Sequence, residues 1–133
     1  VSYTYTDARF ETSFFSNYVA WGIVQEGDQL PYIPEHSGAV NLSIASQRWS
    51  AEASVRLQEP MREVAGSLPI SDALHADGFA ILDVSTRYLV SSDLEVQLIV
   101  KNVTDEAPIT AHRPFGARPE APRTVIGRVV YEF

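Results

Sequence analysis

The sequence predicts an all-β chain whose strands belong to an antiparallel transmembrane β-barrel. Three observations carry that reading. Hydrophobicity repeats every second residue, short polar turns alternate with long proline-containing connections, and aromatic residues gather at the short-turn end.

The strands follow in order. Val1, Tyr3 and Tyr5 alternate with Ser2, Thr4 and Thr6, a pattern β-branched and aromatic enough for a first strand. Val40, Leu42 and Ile44 alternate with Asn41 and Ser43. Ala51, Ala53, Val55 and Leu57 then alternate with Glu52, Ser54 and Arg56, so the two runs form a hairpin turning over residues 47–50. Ala80, Leu82, Val84, Tyr88 and Val90 share one face, with Asp83, Ser85 and Arg87 on the other. After the polar turn Ser91-Ser92-Asp93, Leu94, Val96, Leu98 and Val100 alternate with Glu95, Gln97, Ile99 and Lys101. The last strand, 124–133, sets Val125, Gly127, Val129, Tyr131 and Phe133 against a face holding Thr124, Arg128 and Glu132. This gives about six strands.

Between them, the turns near 47–50 and 91–93 are short. The connections near 14–37, 58–78 and 104–123 are long and hold Pro31, Pro34, Pro60, Pro69, Pro108, Pro114, Pro119 and Pro122, one of them expected at a strand edge. Outer-membrane barrels have this asymmetry, with short periplasmic turns and long extracellular loops. Trp49, Tyr88, Tyr131 and Phe133 fall at the short-turn end, where a barrel carries an aromatic girdle. The same alternation also suits the half-buried strands of a soluble β-sandwich that binds a ligand such as carbohydrate. The loop asymmetry favours the barrel over that alternative.

Composition narrows the function. The 133 residues allow one domain, 1–133. A net charge of −7 and the lack of a basic run argue against nucleic acid as a partner. The longest apolar stretch, 18–24, is far too short for a spanning helix. No signal-peptide pattern and no initiating methionine open the sequence, so it is expected to start within a longer gene or after processing. There is no cysteine, and His36, His75 and His112 lie far apart, so no built-in metal site or cofactor is expected. No GxGxxG, phosphate-loop or GxSxG pattern occurs, which leaves enzymatic activity without support. The sequons at Asn41 and Asn102 fall in or at the end of strands and are read as chance.

The strand register also makes residue-level predictions. A turn centred on Ser92 pairs residues whose numbers sum to 184, setting Asp83 opposite Lys101 and Arg87 opposite Gln97 as polar pairs of the lumen. Arg128 and Glu132 would join the same polar wall.

Several segments carry a resemblance. Tyr3-Thr4-Tyr5-Thr6-Asp7-Ala8 is followed by Gly27-Asp28-Gln29-Leu30-Pro31-Tyr32-Ile33-Pro34-Glu35-His36, then Val100-Lys101-Asn102-Val103-Thr104-Asp105, Pro122-Arg123-Thr124 and the closing Tyr131-Glu132-Phe133. In that order they resemble the C-terminal end of TonB-dependent outer-membrane receptors, most closely the ferric-citrate and ferric-siderophore branch. The likeness covers nearly the whole chain.

The resemblance implies the last six strands of a 22-stranded barrel, whose plug and earlier strands lie outside this sequence. Two open edges cannot stand alone in lipid, so the rest of the receptor is an implied partner. The others are TonB with its inner-membrane motor, the barrel-assembly machinery and outer-membrane lipid. The implied function is uptake of a ferric chelate, without catalysis. Segments 14–37, 58–78 and 104–123 become extracellular loops, and Arg113, Arg118, His112, Arg62 and His75 become candidate contacts for an anionic chelate. The alternative is that the two loop arginines, Arg113 and Arg118, are solvated surface charges or pair with Glu106 and Glu120. Phe133, Tyr131 and Val129 match the terminal signature by which the assembly machinery takes up its substrates.

Overall fold

The computed structural model describes residues 1–18, 21–70, 75–113 and 116–133. Val19 and Ala20 of the longest apolar stretch, and Pro114 of the last long connection, lie outside them. The strands in chain order are β1 (Ser2–Tyr5), β2 (Phe14–Phe15), β3 (Ile23–Val24), β4 (His36–Ala45), β5 (Trp49–Gln58), β6 (Met61–Arg62), β7 (His75–Ala76), β8 (Phe79–Leu89), β9 (Leu94–Lys101), β10 (Ile109–Ala111), β11 (Arg118–Pro119) and β12 (Thr124–Tyr131).

Six of these form one antiparallel sheet in the order β1-β4-β5-β8-β9-β12. Strands β4, β5 and β8 run for 10, 10 and 11 residues. Ten residues rise about 34 Å, which at a tilt of about 40° spans about 26 Å, close to the apolar band of an outer membrane. All three long connections leave one end of the sheet, and both tight turns close the other. The first turn is shorter than the sequence suggests. Ser46 N–H donates to the Trp49 carbonyl at 2.7 Å, so Trp49 and Ser50 already belong to β5. At the loop end, Gly78 lets β8 begin against the preceding segment, where a Cβ would lie 2.7 Å from Pro60 Cδ.

Register decides which face each side chain takes. Gly38, Val40, Leu42 and Ile44 stand opposite Leu57, Val55, Ala53 and Ala51. Those in turn oppose Ala80, Leu82, Val84 and Thr86, and Trp49 opposes Tyr88. The row continues through Val100, Leu98 and Val96 to Val125, Gly127 and Val129. One face is therefore apolar from edge to edge, and nothing among the described residues covers it: Leu42 is 67% exposed, Leu98 47% and Val129 69%. A sandwich would lay a second sheet here. None is formed by the described residues.

The opposite face carries Asn41, Ser43, Glu52, Ser54, Arg56, Asp83, Ser85, Arg87, Gln97, Lys101 and Arg128. Side chains fully buried within the chain are few and lie away from the apolar face. Val24 and Ala76 come from loop hairpins, and Ile81 from the polar face of β8 near the loops. The hydrophobic effect within this chain is spent on the loop cluster, and the large apolar face is left for an outside medium.

Aromatic residues rim that face at both ends. Trp49, Tyr88, Tyr131 and Phe133 mark the turn end, with the Tyr131 and Phe133 rings stacked 6.4 Å apart. Tyr3 and Tyr5 mark the loop end, a second rim that the sequence pattern left unassigned.

β8 and β9 pair with partner numbers summing to 184, so Arg87 stands opposite Gln97. The ionic partners differ from those the opposition suggests. Arg87 Nη1 reaches diagonally to Glu95 at 3.5 Å, within the span of a long side chain across a strand pair. Asp83 and Lys101 line one shallow cavity of about 220 Å³ with Gln97. There, however, Asp83 Oδ1 accepts the Asn102 N–H at 2.8 Å, because the chain turns out of β9 at that point.

Candidate functional site in the long loops

Each long connection contains a two-strand hairpin or contributes to one: β2 with β3, β6 with β7, and β10 with β11. These pieces lock the three loops to one another. Gln29 N–H donates to the Gly66 carbonyl at 3.1 Å and Tyr32 N–H to the Arg62 carbonyl at 2.9 Å, joining the first loop to the second. The second is tied to the third by Asp77, whose N–H donates to the Ile109 carbonyl while its Oδ2 accepts the Ile109 N–H at 2.7 Å.

The buried polar groups of the cluster are Asp28, Glu63 and Asn102. Glu63, 2% exposed, accepts with one oxygen both the backbone N–H of His112 at 2.7 Å and a hydrogen bond with His112 Nδ1 at 3.1 Å. Asp28 Oδ2 accepts the Gln25 N–H at 2.8 Å and closes the turn beyond β3. Asn102 is the hub of the third loop. Its amide donates to the carbonyls of Glu106 at 2.7 Å and Ala121 at 2.8 Å, and its Oδ1 accepts the Glu106 N–H at 3.0 Å. Asn102 and Asp105 both adopt left-handed backbone conformations, with φ of 50° and 59°, which Asn and Asp tolerate best among non-glycine residues. This is the structural content of the Lys101-Asn102-Val103-Thr104-Asp105 run. Arg123 completes it, donating through its backbone N–H and its guanidinium to Asp105 at 2.9 and 3.0 Å. Those two hydrogen bonds hold the Asp105 carboxyl below the usual aspartate range.

The structure divides the five loop candidates into two groups. Arg62 donates from Nε to Gln29 Oε1 at 2.9 Å and from Nη2 to the Leu68 carbonyl at 2.8 Å, so it braces the second loop against the first. His75 stands opposite Arg62 across β6 and β7, with Nε2 3.4 Å from Asp77 Oδ1. His112 is held by Glu63. These three serve the scaffold. Arg113 and Arg118 form no ion pair among the described residues, and Glu120 instead meets Arg56 at 3.6 Å. Arg113 acts electrostatically on Tyr32, whose hydroxyl is buried between the loops. Burial, and then the Glu63 charge, raise the Tyr32 hydroxyl above the usual tyrosine range, while Arg113 opposes the shift.

A sheet with one exposed apolar face, two free edges and interlocked loops at one end matches a particular group of solved structures. The siderophore receptor PiuA from Acinetobacter baumannii aligns with 97% of this chain at a TM-score of 0.75 and 16% identity. The ferric-catecholate import receptor Fiu from Escherichia coli K12 aligns with 79% in its closed form, at a TM-score of 0.66 and 24% identity. Its open form also aligns over 79%, at 0.65 and 26%. In fold, the chain is similar to a segment of the barrel of these receptors. The segment spans 15%, 16% and 18% of the length of the closed Fiu, open Fiu and PiuA chains respectively. No protein-family model matches the sequence, and no curated protein matches it. Within the described residues the sheet's unpartnered edges are β1 and β12.

Proposed function

We propose that this chain forms the last six strands and last three extracellular loops of a bacterial outer-membrane receptor. That receptor imports a ferric chelate with energy delivered through TonB. The observation that carries the proposal is the uncovered apolar face, aromatic at both rims and backed by a polar face, because a single sheet of this kind is stable only when lipid covers one side and a hydrated interior the other. In this reading β12 closes against the first strand of the barrel, a plug fills the lumen behind Arg56, Glu52 and Arg128, and the interlocked loops meet the ligand. That one similar structure is a ferric-catecholate import receptor and another a siderophore receptor supports a ferric chelate as cargo. The role is transport, with no bond made or broken by this segment.

The full-length receptor, extracted in detergent, should migrate faster before boiling than after on a denaturing gel, and should restore growth on a ferric chelate to cells lacking their own receptors. A receptor that is soluble without detergent contradicts the proposal.

Ligand contact falls to Arg113 and Arg118, since their charges are not consumed by the scaffold. Reversing both, Arg113→Glu with Arg118→Glu, is expected to weaken binding of an anionic ferric chelate at least tenfold without changing the heat-dependent gel shift. Equal affinity removes them from the site.

The chain end provides a separate test. Phe133 projects fully into the surroundings beyond β12, on the face of Tyr131 and Val129. Deleting Phe133 should lower outer-membrane yield severalfold by weakening recognition of the terminal strand by the assembly machinery. Receptor that does insert should bind its ligand normally. Equal yields for the deletion and the parent refute this role.

A further inference from the structure

We propose that Glu35, His36 and Glu59 form a binding site for a divalent cation of the zinc class, at the loop-end rim of the barrel's outer wall. The three residues are scattered in sequence, and the histidine spacing alone gave no reason to expect a metal site. The fold gathers them. β4 and β5 pair with partner numbers summing to 95, and the ladder continues one step past Ser37 and Gln58. Glu59 therefore lies beside His36, its N–H donating to the His36 carbonyl at 3.0 Å. Glu35 precedes His36, and one donor atom from each of the three side chains lies within 4.8 Å of the other two.

The surroundings suit ligation by the imidazole. Its ring is stacked with Tyr3 at 5.9 Å and packed at a tilt against Tyr5 at 5.0 Å, which fixes its plane. Tyr3 Oη lies 2.6 Å from His36 Nδ1. When Nδ1 carries the proton, the phenol oxygen accepts it and Nε2 keeps its lone pair for a cation. This is the arrangement in which an oxygen partner orients a ligating histidine. Glu35 Oε1 accepts from Gln29 Nε2 and lies 3.9 Å from Arg9 Nη2, leaving its second oxygen to ligate. Glu59 is exposed, so water can complete the coordination sphere. One imidazole and two carboxylates with no thiolate suit Zn²⁺ and its neighbours better than Cu⁺, and the nitrogen donor disfavours Mg²⁺ and Ca²⁺. A bound ion would tie β4 to the end of β5 and, through Tyr3, to β1.

This inference rests on the barrel reading, and its test separates the two. The full-length receptor in detergent is titrated with Zn²⁺ against a competing fluorescent chelator, in excess Mg²⁺ to suppress loose carboxylate binding. One Zn²⁺ per chain is expected, with affinity reduced at least tenfold in His36→Gln and in Glu59→Gln. Tyr3→Phe keeps every donor and should weaken binding roughly tenfold by releasing the ring. Each variant should retain the heat-dependent gel shift of a folded barrel. Unaltered Zn²⁺ affinity in both His36→Gln and Glu59→Gln overturns the site and leaves the barrel standing. Loss of the gel shift in the parent receptor instead overturns the barrel.

Discussion

Leu42→Arg is expected to destabilise the folded receptor by about 2 to 4 kcal/mol in a bilayer, while the adjacent Ser43→Arg shifts it by no more than about 0.5 kcal/mol. The two residues are consecutive on β4 and both are exposed, so neither propensity nor burial within the chain distinguishes them. They differ only in face. Leu42 opposes Ala53 in the apolar row, midway between the rims, where an arginine would be moved into hydrocarbon. Ser43 opposes Glu52 on the polar face, where an arginine gains a cross-strand partner. Urea titration of the receptor refolded into vesicles reads both changes. Similar small effects for the two would show that the apolar face is not in lipid.

Asn102→Ala should cost about 2 to 4 kcal/mol in local stability and release the third loop. The substitution deletes three side-chain hydrogen bonds from a buried position and places a residue with a Cβ but no polar group at φ of 50°. Asn102→Gly separates the two causes, because glycine accepts the backbone conformation without restoring the hydrogen bonds. The expected order of protease resistance across residues 104–123 is parent, then glycine, then alanine. If the alanine variant matched the parent, the turn would not depend on Asn102.

How much of this was legible in the sequence varies with the distance over which the signal acts. β9 could be read at its observed ends, 94–101, because apolar and polar residues alternate throughout, and the register of β8 against β9 followed from the position of the turn. The first turn is shorter than the sequence reading because the polar run around it hides the strand start, which the Ser46 to Trp49 hydrogen bond and the pairing of Trp49 with Tyr88 reveal. The loop hairpins were invisible. Strands of two residues, such as Phe14–Phe15 and Met61–Arg62, are too short to show a period, and tertiary hydrogen bonds hold them in place.

The loops were also where side-chain roles were least readable. Glu63 looks like any surface glutamate until the third loop brings His112 to it across 49 residues. Arg62 has the charge of a ligand contact, yet its donors are used on Gln29 and Leu68. The cluster of Glu35, His36 and Glu59 was also hidden, since a turn over 47–50 would set Glu59 against Gly38, and only the observed register sets it against His36. No register rule brings Tyr32, Glu63 and Arg113 together, because they come from three different loops.

The most direct measurement is a single-cysteine scan of β9 from Leu94 to Lys101 in a receptor stripped of any cysteine in its other segments, since this chain has none of its own. Each position in turn carries a fluorophore in the full-length receptor, folded into vesicles and exposed to a lipid-borne or a water-soluble quencher. Labels at 94, 96, 98 and 100 should be quenched from the lipid, and those at 95, 97, 99 and 101 should be spared by it. Quenching that does not alternate with period two, or labels at 96 and 98 that neither quencher reaches, would contradict the placement of this face in the membrane.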